Sequence, residues 1–299
     1  MSDSGFEERI DPSHSGINLL AEHLVRYEFV SQRTSRSASC VYFDLGCGNG
    51  FGLKILQFYA PNSILYGCDI SDEALAEAAR HLGTASTVRL LQMDLTRIET
   101  YGAIESLLRV HQGTRRILVC FEIVEHLNDF KSLIAFLDQQ VTNGVEAFLS
   151  VPNDEFWGVQ NPFHKNMMGE ESLSELMQLF DNTPRLYKQY PIQGATILPA
   201  GVTELTEDQI IGKLLPQFVE RRQSLSIPSH FILHLGSSEL TTDAFTARFV
   251  PWDAAAERQW IAQREADMLY YKEEVRRLGR KWEHLQKAVK YLHSEVSQP

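Results

Sequence analysis

Cysteine is scarce in this 299-residue chain, and what there is suits packing better than chemistry. The four residues, Cys40, Cys47, Cys68 and Cys120, include no C-x-x-C pair. All lie in or beside apolar runs that read as strands, so core packing is expected rather than metal binding or disulfide formation. Long apolar runs are also missing. No stretch approaches the roughly 18 apolar residues of a membrane span. The opening MSDSGFEERIDP is acidic, without the apolar centre of a secretory leader. The cytoplasm is therefore the expected location, with a peripheral place at the inner membrane, held by partners, as the variant. Positive charge is short too: 28 Lys and Arg against 39 Asp and Glu leave a formal net charge of −11. That argues against broad binding to a nucleic-acid backbone without excluding a local basic groove. What is present is 43% hydrophobic, enough for one α/β domain of about 200–250 residues and an appendage.

Apolar runs alternate with helical patterns in the rhythm of a parallel sheet. Strands are expected at about 41–45, 64–68, 88–92, 116–121 and 145–151, then at 185–190 and 230–236. Helices are expected at about 50–59, 72–81, 100–110, 129–141 and 171–180. Ser71 before Asp72 and Glu73 is a good helix start. Between the last two strands, 191–228 reads as an insert with a helical pattern near 206–222, broken by Pro216. It suits either an acceptor pocket or a plain surface excursion.

The densest signal is VYFDLGCGNG at 41–50. An apolar strand ends in Asp44, glycines follow at 46, 48 and 50, and a helical segment comes next. Such a turn lets backbone approach a ligand and aims helix N–H groups at it. ILYGCDIS, 64–71, ends a second strand in Asp69, about where an acid would hold a ribose hydroxyl pair. The dinucleotide fingerprint G-x-G-x-x-G fails, because Phe51 stands where its third glycine belongs. Asp44-Leu-Gly-Cys-Gly-Asn-Gly resembles instead the first motif of class I S-adenosylmethionine (SAM) methyltransferases. That resemblance implies a Rossmann-like α/β sheet of seven strands, the last antiparallel, and SAM as cofactor. It also implies that Asp94, in QMDLT, accepts from the adenine amino group while Leu95 contacts the ring.

Further motifs follow the fourth and fifth strands, where open parallel sheets hold ligands. CFEIVEHLND, 120–129, brings Glu122, Glu125 and His126 to the cleft; His126 is a candidate general base, or with Glu125 it organises the loop. SVPN, 150–153, and NPFHK, 161–165, bring His164 among Phe156, Trp157, Asn161 and Phe163. Flat apolar faces and amides suit a sugar or other polar acceptor, or simply a packed loop. The catalytic candidates are thus His126, His164 and Glu125.

Together with EERIDP, 7–12, and EHLVRYEFV, 22–30, these motifs resemble SAM-dependent methyltransferases encoded with bacterial surface-polysaccharide genes. The likeness covers about residues 5–190 and implies O-methylation of an O-antigen or capsule glycan, or of a glycolipid-linked acceptor, with chain termination as one role. It places Arg26 and Tyr27 over the methionine end of SAM. The implied cofactor set is Arg26, Tyr27, Asp44, Gly46, Cys47, Gly48, Asn49, Gly50, Asp69, Ile70, Asp94, Leu95 and Glu122. No resident metal is expected from this family. A second resemblance, to metal-dependent small-RNA 2′-O-methyltransferases, implies Glu122, Glu125, His126 and His164 as a ligand set. The chain lacks that family's denser histidine-aromatic run. A small-molecule acceptor is the other alternative.

After a connector at 237–254 the pattern changes. Ile261, Met268, Val275, Trp282, Val289 and Val296 recur every seven residues. Tyr271, Leu278, Leu285 and Leu292 fill the second seam position, which Arg264 breaks. The spacing predicts a coiled-coil helix over 255–299 and a homo-oligomer, dimer or trimer. A polysaccharide-assembly protein is a further expected partner. The methyltransferase domain is expected to be 1–236.

Overall fold

The computed structural model describes residues 17–34, 39–83, 87–157, 164–192, 194–199, 227–236 and 246–249. The chain divides into two compact units, Met1–Pro251 and Trp252–Pro299. The second, with the expected coiled coil at 255–299, lies outside the described residues, as does the helical pattern at 206–222.

The first unit opens with helix α1 (Ile17–Thr34). Four βα steps and a fifth strand follow: β1 (Cys40–Leu45), α2 (Phe51–Tyr59), β2 (Ile64–Asp69), α3 (Asp72–Leu82), β3 (Val88–Gln92), α4 (Ile98–Val110), β4 (Arg115–Phe121), α5 (Lys131–Thr142) and β5 (Glu146–Pro152). Short helices α6 (Asp154–Trp157) and α7 (Glu170–Met177) precede β6 (Arg185–Ile192), β7 (Gly194–Pro199), β8 (His230–Leu235) and β9 (Thr246–Phe249). All seven expected strands form. The sheet runs β3-β2-β1-β4-β5-β8-β6-β7-β9. Its first five strands are parallel, and β8 enters antiparallel between β5 and β6.

Two strands depart from the expectation of seven. Residues 194–199, placed in the insert, pair antiparallel with β6, and 246–249, placed in the connector, pair with β7. Pro191, Gly194 and Pro199 disguise the first, since proline normally demotes a strand. The second is too short to stand out.

Alternation along the central strands makes two cores. Val41, Phe43 and Leu45 of β1 join Leu118, Cys120, Ala147 and Leu149 beneath α4 and α5. Tyr42 of β1 joins Ile117, Val119 and Phe148 with α1 and α2 residues on the other face. Successive side chains point to opposite faces of a strand, and both faces are covered. The four cysteines are buried and none forms a disulfide, and burial pushes the Cys47, Cys68 and Cys120 thiols up. Ser71 caps α3, its hydroxyl accepting from the Ala74 N–H at 3.2 Å. The end of α1 is tied down by Arg115, which donates to the Thr34 and Arg33 carbonyls at 2.8 and 3.1 Å and to Glu146 at 2.6 Å. No helix among the described residues is long and apolar enough to cross a membrane.

Candidate active site

The glycine turn hangs from the end of β2. The Gly46 and Cys47 N–H groups donate to the Cys68 carbonyl at 2.7 and 3.0 Å, and the Gly48 N–H donates to Asp69 Oδ2 at 2.8 Å. Gly46 and Gly48 both have positive φ, 83° and 53°, which side chains disfavour. They differ in surroundings. A Cβ on Gly46 would overlap the Ile123 side chain, whereas one on Gly48 would meet nothing within 4 Å. The turn is therefore packed on one side and open on the other. Asn49 is buried, and its carbonyl accepts from His81 Nδ1 at 3.1 Å. Gly50 precedes α2 in the left-handed conformation.

Two acids stand at the neighbouring strand ends. Asp69 Oδ1 accepts from the Ser71 N–H at 2.9 Å, leaving the carboxylate braced beside exposed Ile70. Asp94 is solvent-facing, and Thr96 donates to its Oδ1 from both N–H and hydroxyl, at 2.9 and 2.6 Å. Those bonds lower its pKa. Leu95 beside it is buried.

On the far side of the turn, α1 delivers Arg26 and Tyr27. The Tyr27 hydroxyl donates to both Asp44 oxygens, 3.2 Å each. Burial pushes the Asp44 carboxyl up to about 7, against the lowering effect of the Tyr27 bond. Arg26 is fully buried, and its Nη1 donates to Gln189 Oε1 at 3.3 Å. Its Nε and Nη2 have no hydrogen-bond partner among the described residues. Buried unpaired donors are costly, and a planar guanidinium fork matches a carboxylate.

The sequence reading missed what lies behind Arg26. Gln189 donates to Glu22 Oε2 at 3.3 Å, and so does the Ser229 hydroxyl. His230, the first residue of β8, sits between two acids: Nδ1 is 3.4 Å from Glu22 Oε2 and Nε2 is 3.3 Å from Glu122 Oε2. The Ser150 hydroxyl donates to Glu122 Oε1 at 2.8 Å. Burial opposes ionisation of Glu122, but His230 and Arg26 hold its pKa well below the ordinary range. Burial likewise lowers His23 well below its usual value. Two histidines four apart, His230 and His234, in an otherwise apolar strand were the available signal.

Glu125, His126 and His164 converge, each offering a ligand atom within 4.8 Å of the others. Glu125 is fully buried, and the imidazoles meet edge to face with ring centroids 5.2 Å apart. Asp154 Oδ1 accepts from His164 Nδ1 at 2.9 Å, and its Oδ2 from the Met168 N–H at 2.6 Å. Asp154 therefore orients the His164 ring. The Lys165 and Asn166 N–H groups donate to the Glu125 carbonyl at 2.7 and 3.1 Å, fixing one loop to the other. Glu122 does not join this trio; its oxygens belong to Ser150 and His230. Trp157 lies against His230 and Phe156, while Asn161 and Phe163 lie outside the described residues.

Residues 43–135 match a family described as a methyltransferase domain. Over 139 residues the chain is 30% identical to a small RNA 2′-O-methyltransferase of Mus musculus, a match covering 44% of this chain and 34% of the relative. It is 27% identical over 129 residues to a ubiquinone biosynthesis O-methyltransferase of Thiobacillus denitrificans, covering 43% of this chain and 51% of that one. The chain thus matches about a third to a half of the length of these curated relatives. A plantazolicin methyltransferase solved in complex with SAH superposes with a TM-score of 0.46 at 14% identity, covering 74% of this chain and 84% of that one. The chain carries a methyltransferase domain.

Proposed function

We propose that this chain is a SAM-dependent O-methyltransferase that moves the cofactor's methyl group to a sugar hydroxyl, with a divalent cation on the acceptor side. The observation that carries the acceptor half is the Glu125–His126–His164 trio, whose ligand atoms all lie within 4.8 Å of one another.

The residues present fit SAM. Asp69 offers a braced carboxylate for the ribose hydroxyls, and Gly48 leaves room above the turn. The Nε and Nη2 of Arg26, without a partner among the described residues, match the methionine carboxylate. They fit a first-row divalent ion as well: one carboxylate and two imidazoles suit it, and an oriented second ligand shell is present in Asp154.

SAM supplies an electrophilic methyl on its sulfonium, and the balance is SAM plus R–OH giving the demethylated cofactor, R–O–CH3 and a proton. Much of the catalysis is positioning. A divalent cation would supply Lewis acidity that makes the acceptor hydroxyl easier to deprotonate. The chain's own contribution is to seat the methionine end against Arg26, the ribose against Asp69, and the acceptor oxygen beside His126 and His164. Without a metal, either imidazole serves as general base.

The favoured acceptor is a glycan hydroxyl, supported by the aromatic pair Phe156 and Trp157, just after the Asp154 that holds His164, and by a net charge of −11, unhelpful for polynucleotide contact. The second reading, a small RNA 2′-hydroxyl, is favoured by the mouse relative. Incubation with labelled SAM and either polysaccharide or short RNA separates them. Label in neither, with SAM bound, would point to a small-molecule acceptor.

Asp44 gives a pH signature. SAM carries positive charge, so its binding favours the ionised carboxylate and releases a proton where Asp44 is still protonated. SAM affinity is therefore expected to rise with pH up to about 7 and then level off. The same raised pKa means that the free protein loses stability as pH climbs from the ordinary aspartate range to about 7. Calorimetry in buffers of different ionisation enthalpy checks the proton release; a flat affinity from pH 5 to 8 would refute the assignment.

Assembly is a separate proposal. Deleting residues 257–299 is expected to convert a dimer or trimer into a monomer while sparing SAM binding, because the heptads lie outside the cofactor motifs. Light scattering that finds the full chain monomeric would remove the oligomer from the proposal, leaving a polysaccharide-assembly partner as the helix's use.

A further inference from the structure

Glu122 is the one described non-glycine residue with positive φ, 54°. Side chains adopt that region at a cost, and only where the surroundings over-determine it. Three contacts do so here. The Glu122 N–H donates to the Ser150 carbonyl at 3.2 Å, the Ser150 hydroxyl holds Oε1, and His230 faces Oε2. His230 is itself held, since Ser229 Oγ lies 3.0 Å from its Nδ1 and Glu22 stands on the same side. The next residue, Ile123, fills the space beside Gly46. Two and three residues further on come Glu125 and His126. The backbone turn at Glu122 therefore sets where the segment meets the glycine turn and in which direction it leaves for the acceptor side.

We propose that His230 is a positioning residue that acts through Glu122: by clamping this carboxylate it keeps the left-handed turn in place, and the turn keeps Ile123 wedged beneath the cofactor loop. This rests on the SAM reading above for its functional consequence. The clamp reaches the cofactor from both ends, because Glu22 on its far side connects through Gln189 to Arg26. Strand β8 thereby contributes to cofactor binding without touching the cofactor.

The test is a double-mutant cycle of His230→Phe, which keeps the ring and removes both nitrogens, with Glu122→Gly, which adopts positive φ freely and has no carboxylate to clamp. SAM affinity by calorimetry and the melting temperature are read for all four proteins. His230→Phe alone is expected to weaken SAM on the order of tenfold, as loss of an outer partner commonly does, and to lower the melting temperature. In the Glu122→Gly background both losses should be clearly smaller, what remains being the Glu22 contact that His230→Phe removes in either background. Equal losses in the two backgrounds, or no loss in a folded His230→Phe protein, would overturn the proposal. If His230→Phe does not fold, recovery of folding in the double variant supports the clamp and continued failure refutes it. If the unmodified protein binds no SAM, the cofactor reading falls, while the melting-temperature cycle still decides the clamp.

Discussion

Replacing His126 or His164 by alanine is expected to lower turnover by roughly 10²–10⁴-fold with SAM affinity nearly unchanged. Both imidazoles belong to the trio proposed for the acceptor and not to the glycine turn or Asp69, so the loss is expected to fall on the chemical step. The two candidate roles then separate. As metal ligands, His126 and His164 make turnover sensitive to a chelator, with Mn²⁺ or Mg²⁺ restoring it. As a general base, a single histidine carries the loss, and activity rises with pH through the imidazole range without any chelator effect. Asp154→Asn probes the same point from behind. Its Oδ1 accepts from His164 Nδ1 at 2.9 Å, so the asparagine variant is expected to fall between the unmodified protein and His164→Ala. Full activity in both alanine variants, together with indifference to chelation, would mean an acceptor that is already anionic.

The second large effect is on the cofactor. Asp69→Ala is expected to lose most SAM affinity while the protein stays folded. A ribose diol would be held by two charge-assisted bonds, each contributing roughly 1.5–3 kcal/mol, so the predicted loss is about 10²–10⁴-fold. The carboxylate also accepts from the Gly48 and Ser71 N–H groups, and part of the loss comes from a loosened turn. Asp69→Asn keeps one acceptor oxygen and should fall between the two. The sheet does not depend on this side chain, so the circular dichroism spectrum should be preserved. An unchanged calorimetric affinity in folded Asp69→Ala would place the ribose elsewhere.

The parts of the site legible in the sequence are those written in short stretches. Asp44 to Gly50 and Asp69 are carried by strand-end motifs, and the structure brings them together through backbone bonds to Cys68. The Glu125–His126 pair was legible for the same reason, and His164 because it sits in a loop of unusual composition. What escaped was built from distant segments. Arg26 meets Gln189 across 163 residues and Glu22 meets Ser229 across 207, and no local pattern announces such pairs. Helix α1 was overlooked as a helix because its buried positions include Glu22, Arg26 and Glu28, which interrupt the apolar period that marks an amphipathic helix. Glu122 was placed with the cofactor, but nothing in CFEIVEHLND foretold a left-handed backbone there.

The position of β8 has a consequence for the order of assembly. Ser150 of β5 pairs with Ile232 of β8, so the middle of the sheet waits for a segment that emerges long after its neighbour. Until then β5 offers an unpaired, largely apolar edge of the kind that recruits other chains. Contacts so distant along the chain are slow to form. The same event that closes this edge delivers His230 to Glu122. A nascent or partly unfolded chain therefore cannot hold the cofactor turn in its finished shape while its most adhesive edge is still open. Cofactor added during refolding should accordingly act late, capturing molecules that have already shut the sheet rather than speeding the search for it.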